Sequence, residues 1–175
     1  MSEIRGLVAD DDAKIRGARV DLLIFEEAGS NPNSRRSFIK GEALVGIGGN
    51  RFGIRIIGGT GGDRNPKALD GLKEIYENPR AFNVLPFYHN YTESGDWIET
   101  GYFIPAYIAS YNSKFIDNRG VCNWKLVKKE QQQARDLLYN NPQGLLEHKA
   151  EFCWTAQEAF ALEGDNPFNK VKIVE

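Results

Sequence analysis

The sequence predicts an α/β fold with a mostly parallel sheet flanked by helices, and three observations predict it. Strand-length apolar runs alternate with helical patterns over the first half of the chain. One of those runs, Leu22-Leu23-Ile24-Phe25, is apolar on both faces, as in a parallel strand covered by helices on either side. That run and a second one each end in residues suited to ligand contact, and ligands of open α/β sheets bind beyond the carboxyl ends of the strands.

The elements follow in order. Ile4 to Val8 reads as a short strand, and Asp10-Asp11-Asp12 opens a turn of helix closing at Arg16-Gly17. The acid-tipped strand spans residues 21–25. Asn31-Pro32-Asn33-Ser34 is a loop and helix cap, with a helix over residues 35–45 ended by Gly46, Gly48 and Gly49. Residues 52–57 form the second apolar strand. Pro66 suits the first position of a helix carrying Ala68, Leu69, Leu72, Ile75 and Tyr76 at i, i+3, i+4 spacing, and Asn78-Pro79 stops it. Residues 82–88 read as a third strand, with Pro86 marking an edge or bulge. The aromatic-rich stretch 90–120 reads as strand plus irregular structure. Trp124, Val127, Gln131, Ala134 and Leu138 share a helical face, and Pro142 starts another helix. Thr155 to Glu158 is a capping box, Asn166-Pro167 a stop, and residues 171–174 begin a strand.

Composition bounds the function. The 175 residues fit one domain, 41% hydrophobic and 26% charged. A net charge of -2 excludes a global basic footprint, so nucleic-acid binding needs a local patch. Cys122 and Cys153 form no CxxC, which favours a reducing compartment, and His89 and His148 are too few and scattered for a zinc site. Residues 1–5 read as no signal peptide, and no apolar run approaches the roughly 18 residues of a membrane span.

The acid pair Glu26-Glu27 follows the first strand and precedes Ala28-Gly29, small enough to let the backbone pass close to a ligand. Phosphoryl transfer to water needs a metal to gather phosphate charge and a group to position the water. Glu26 is assigned to the magnesium shell and Glu27 to the attacking water. Apolar walls around Glu27 would raise its pKa toward that of a useful base. The second strand runs into Gly58-Gly59-Thr60-Gly61-Gly62-Asp63. Gly59 and Gly61 would offer backbone N–H groups to a nucleotide, and Thr60 a hydroxyl to the γ-phosphate or the water. Either motif alone also reads as an ordinary charged or glycine-rich turn; together, on neighbouring strands, they form the arrangement a nucleotide site requires.

At these two motifs the sequence resembles the large terminase subunit of tailed bacteriophages, the DNA-packaging motor ATPase. Ala9-Asp10-Asp11 with Ile15-Arg16-Gly17 and Arg19-Val20 resembles the approach to the family's Walker B strand. Residues 21–29 resemble Walker B with the catalytic carboxylate, and residues 57–63 the coupling motif. Asn83-Val84-Leu85-Pro86-Phe87, Tyr102-Phe103-Ile104-Pro105-Ala106, Lys149-Ala150-Glu151-Phe152-Cys153 and residues 158–166 resemble later segments of the motor domain. The resemblance implies an ASCE (RecA-like) P-loop fold, ATP and Mg2+ as cofactors, and ATP hydrolysis driving viral DNA into a procapsid. It also implies a homo-oligomeric ring, double-stranded DNA, portal protein and small terminase subunit as partners, no membrane, and work in the host cell cytoplasm. Residues 1–170 would be the C-terminal part of the ATPase domain, and 171–175 the start of a linker or nuclease domain.

Two departures qualify it. No GxxxxGK[ST] and no Gly-Lys dipeptide occurs, so the Walker A βα unit is lacking and this chain is expected to be inactive alone. Glu26 stands where many relatives use aspartate. Arg16, Arg19 and Arg64 read as surface residues, Asp63 as a helix cap, both histidines as structural or surface residues, and the aromatic residues of 88–124 as core. Two other functions fit the residues: a metal-dependent nuclease using Asp10–Asp12 with Glu26 and Glu27, and a non-enzymatic remnant binding DNA or another motor subunit.

Overall fold

A computed structural model describes residues 3–6, 19–60, 66–108, 110 and 112–161, with residues 66–69 as backbone. The chain forms two compact units, residues 1–85 and 86–175. It is a mixed α/β protein with a short parallel sheet flanked by helices. The turn of helix expected at 10–17 and the strand expected at 171–174 lie outside the described residues, as do positions 7 and 8 of the first expected strand; residues 3–6 hold no regular structure.

In the first unit, β1 (Leu22–Phe25) pairs in parallel with β4 (Ile54–Ile57), Leu22 opposite Ile54 and Phe25 opposite Ile57. Between them run α1 (Ser34–Lys40), a 3-10 turn Gly41–Leu44, and a hairpin of β2 (Gly46–Ile47) and β3 (Asn50–Arg51). Gly48 and Gly49 turn that hairpin with φ of 55° and 85°, which glycine adopts without strain. The sequence reading ended the helix at these glycines and missed the hairpin. α2 (Pro66–Glu77) follows, and Asn78 leads into a 3-10 turn Pro79–Phe82.

Among the described residues, elements cover one face of the parallel pair. Leu23, Phe25 and Ile57 pack toward Phe38 of α1 and Ile75 of α2, with Phe25 edge-on to Phe38 at 5.6 Å. Leu22, Ile24, Ile54 and Ile56 occupy the opposite face and stay 51%, 51%, 64% and 49% exposed. Period-2 alternation puts these four aliphatic side chains together, and no described element lies over them; the helices α1 and α2 supply the cover expected on the other face. Arg55, on the packed face, is buried. Its guanidinium stacks on Phe38 at 4.2 Å, donates to the Phe38 and Phe82 carbonyls, and lies 3.4 Å from Glu42.

In the second unit, β5 (Phe87–His89) and β6 (Ile98–Thr100) form an antiparallel hairpin. The strand expected at 82–88 is thus shorter and later: residues 79–82 are the 3-10 turn, and the chain is not extended until past Pro86. Three helices follow, α3 (Trp124–Leu137), α4 (Pro142–Glu151) and α5 (Ala156–Ala159), capped by Asn123, Asn141 and Thr155 side chains. Arg135 ties α3 to α5. It is buried, makes a two-pronged ion pair with Glu158 at 2.8 and 2.9 Å, donates to the Phe152 carbonyl and stacks on Trp154 at 3.8 Å. His89 is structural, its ring nitrogens held by the Thr100 hydroxyl and the Tyr91 N–H. Tyr88, Trp97, Tyr102 and Trp124 are exposed rather than core. No helix among the described residues is long and apolar enough to cross a membrane.

Candidate functional site

The acid pair and the glycine-threonine loop meet at the carboxyl ends of β1 and β4, held there by a fault in the ladder. In a regular parallel pair, the residue opposite position i accepts from i+1 and donates to i−1. Ile54, opposite Leu22, donates to Asp21, as it should. Gly58 keeps step by donating to Phe25 at 3.0 Å. Its carbonyl should then accept from residue 27, but accepts from Ala28 at 3.1 Å. One extra residue has been inserted, a β-bulge at a strand end, and such bulges serve to re-aim a side chain.

Glu27 carries the resulting strain, with φ 49° and ψ 39° in the left-handed region. That conformation costs a residue with a Cβ about 1–2 kcal/mol. Residues so held cluster at functional sites, where surrounding structure over-determines them. Here the constraint comes from Gly58 on both sides of the acid pair and from a 3-10 turn, Ala28–Ser30, in which Ser30 donates to the Glu27 carbonyl at 3.0 Å.

Gly59 lies against this bulge. A Cβ built on it would sit 2.8 Å from the Ala28 nitrogen and 3.1 Å from Glu27 Cα and carbonyl carbon, all backbone atoms that cannot swing aside. Only glycine lets the loop pass this close. The next residue, Thr60, directs Oγ1 at Glu27 Oε2 from 3.5 Å. Glu26, Glu27 and Thr60 are all exposed.

Of the residues singled out from sequence, Glu27, Gly59 and Thr60 are brought together, and Glu26 stands beside them at the end of β1. Gly61, Asp63 and Arg64 lie outside the described residues. The apolar walls envisaged around Glu27 are not provided by any described residue, since its side chain faces solvent. Sequence reasoning missed the bulge. Its one outward sign is two acids followed by two small residues, which does not reveal which acid is the insertion.

No described cluster of three or more histidine, cysteine or carboxylate groups could hold a metal by itself. That donor set fits magnesium arriving with phosphates, which keeps several waters and takes only one or two carboxylates from protein. Glu26, exposed at the end of β1, is the carboxylate that would take that role. A cavity of ≈ 560 Å³ elsewhere in the unit is walled by residues including Arg35, Glu42, Arg55, Glu74 and Phe82, and takes in no predicted site residue. Its charges are already paired, Arg35 with Glu74 at 2.6 Å and Arg55 with Glu42. Comparisons with family profiles, curated proteins and solved structures give no match for this chain.

Proposed function

We propose that this chain supplies the Walker B and coupling half of a nucleotide-hydrolysing motor of the phage large-terminase type, turning ATP hydrolysis into movement of double-stranded DNA into a procapsid. The observation that carries the reading is the meeting of a strained, bulge-aimed carboxylate with a threonine on the adjacent parallel strand. In this role Glu26 would hold the magnesium shell through water. Glu27 would orient the attacking water and accept its proton. Thr60, beside that carboxylate, would sense whether the γ-phosphate is present, and Gly59, with Gly61 of the same loop, would offer backbone N–H groups to the nucleotide. Magnesium-bound ATP supplies the phosphoryl group and the charge that draws it to this strand end.

The sheet face that no described element covers supports the same reading. Leu22, Ile24, Ile54 and Ile56 form an apolar strip on a parallel sheet, a type of sheet that is ordinarily buried on both faces. A P-loop βα unit seated there would bury the strip and add the phosphate cradle that the sequence lacks. The ring, the portal protein and the small terminase subunit enter as partners of that assembled motor.

The test is ATP turnover by the chain alone and with a separate polypeptide carrying a Walker A βα unit. Turnover should need both pieces, and Glu27→Gln should lower it by about 10²–10⁴. An assembled protein that turns over no ATP, or one indifferent to Glu27→Gln, would remove the proposal.

A further inference from the structure

We propose that the N-terminal half of α3 is a contact surface for the phosphate backbone of duplex DNA. Lys125, Lys129 and Gln132 repeat at i, i+4 and i+7 with Lys128 alongside, so three ammonium groups share one stripe of the helix. The acids nearby are otherwise engaged. Glu130 pairs with Lys114 at 2.5 Å, Asp136 accepts from Gln132 at 2.7 Å, and Glu158 is taken up by Arg135. Among the described residues, no carboxylate forms an ion pair with Lys125, Lys128 or Lys129.

The stripe works against the helix that bears it. The first turn holds no acid, and the lysines crowd the positive end of the helix dipole while repelling one another. The described contacts that offset this are cation–π ones, Lys125 Nζ lying 5.6 Å from the Trp124 ring and Lys128 resting on two rings, and they leave each ammonium without a carboxylate partner. The lysines are also partly pre-positioned: Lys128 Nζ rests 4.5 Å from the Tyr107 ring and 4.7 Å from the Trp154 ring, beside the exposed Trp124. In a protein of net charge -2, this is the kind of local patch that nucleic-acid binding requires.

The residue types select the ligand. Lysines act as point charges on phosphates, and the amide of the stripe, Gln132, has its Nε2 donor committed to Asp136, so it is not free to make the two-pronged contact that reads adenine. The arginine of α3, Arg135, is turned inward to Glu158 and leaves no fork on the stripe. The surface therefore grips duplex DNA without reading its sequence. This rests on the proposed motor reading and names where that motor meets its DNA; the lysines belong to the second unit.

The experiment measures binding of the full chain to a short labelled duplex by fluorescence anisotropy across salt concentration. Each phosphate contact contributes about 0.9 to the slope of log affinity against log salt, so Lys125→Gln with Lys129→Gln should lower the slope by about 1.8. At about 0.15 M salt that is roughly a 30-fold loss of affinity. Lys125→Arg with Lys129→Arg should keep the slope, and Lys40→Gln with Lys73→Gln in the first unit should leave it unchanged. Circular dichroism confirms that each variant is folded. A chain that binds no duplex, a glutamine pair with wild-type slope, equal losses from the first-unit pair, or binding only to anionic phosphatidylserine vesicles would each overturn the proposal. Glu27→Gln should not alter the anisotropy, so failure of the nucleotide reading would be seen separately.

Discussion

Gly58 and Gly59 are neighbours of the same type, yet the structure assigns them opposite responses to alanine. A Cβ on Gly58 would meet nothing within 4 Å, whereas on Gly59 it would lie 2.8 Å from the Ala28 nitrogen. Gly58→Ala keeps both backbone hydrogen bonds and removes freedom from the unfolded chain, an effect worth about 0.4–1 kcal/mol of stabilisation. Gly59→Ala must push the loop off the bulge, an overpacking cost of about 1–3 kcal/mol. The two variants should therefore differ by about 1.4–4 kcal/mol. At roughly 2–4 °C per kcal/mol for a protein of this size, Gly59→Ala should melt about 3–16 °C below Gly58→Ala. Differential scanning calorimetry of both beside the parent decides it. Coincident melting temperatures, or a higher one for Gly59→Ala, would mean that the loop does not pass the acid pair as described.

Further outcomes follow from the packing. Arg135→Ala should cost about 3–5 kcal/mol in urea unfolding because it leaves Glu158 buried without its cation, and Arg135→Lys should recover little, having no fork. Burial holds both His89 and His148 below the ordinary imidazole range, helped at His148 by the charge of Arg135. The unfolded chain therefore takes up protons first. Stability from these groups is complete above about pH 6.5 and declines as the pH falls toward their folded values, read as a falling urea midpoint. A midpoint that rises on acidification would contradict the burial. Ile54→Gln, at a 64% exposed position, should change the stability of the chain by no more than about 0.5 kcal/mol yet abolish its association with a Walker A polypeptide in a pull-down.

Much of this was legible in the sequence where punctuation and period agree. Pro66 and Asn78 bracket α2, Pro142 opens α4, and Thr155 with Glu158 caps α5, because cap residues and proline act on their own backbone. The pairing of β1 with β4 was foreseen from the matching character of the two strand ends. The β2–β3 hairpin was not, since two-residue strands are too short to show alternation. Arg55 and Arg135 went unread as interior residues because an arginine in a pattern looks like surface; only the ring beneath and the carboxylate opposite make it otherwise. The open face of the parallel sheet was equally invisible. Apolar alternation says that a face wants cover, not whether the chain itself provides it.

Gly58 is pinned on both sides of its Cα, its N–H to Phe25 and its C=O to Ala28, with the acid pair looped between the pins. Carboxylate and threonine tip are thus two arms of one rocker. On the proposed reading, a pull on Thr60 would tilt Gly58 and swing Glu27, so that the arm sensing the phosphate would also withdraw the group that prepares the water. Replacing the Ala28 amide by an ester would take out one pin and let each arm move without the other.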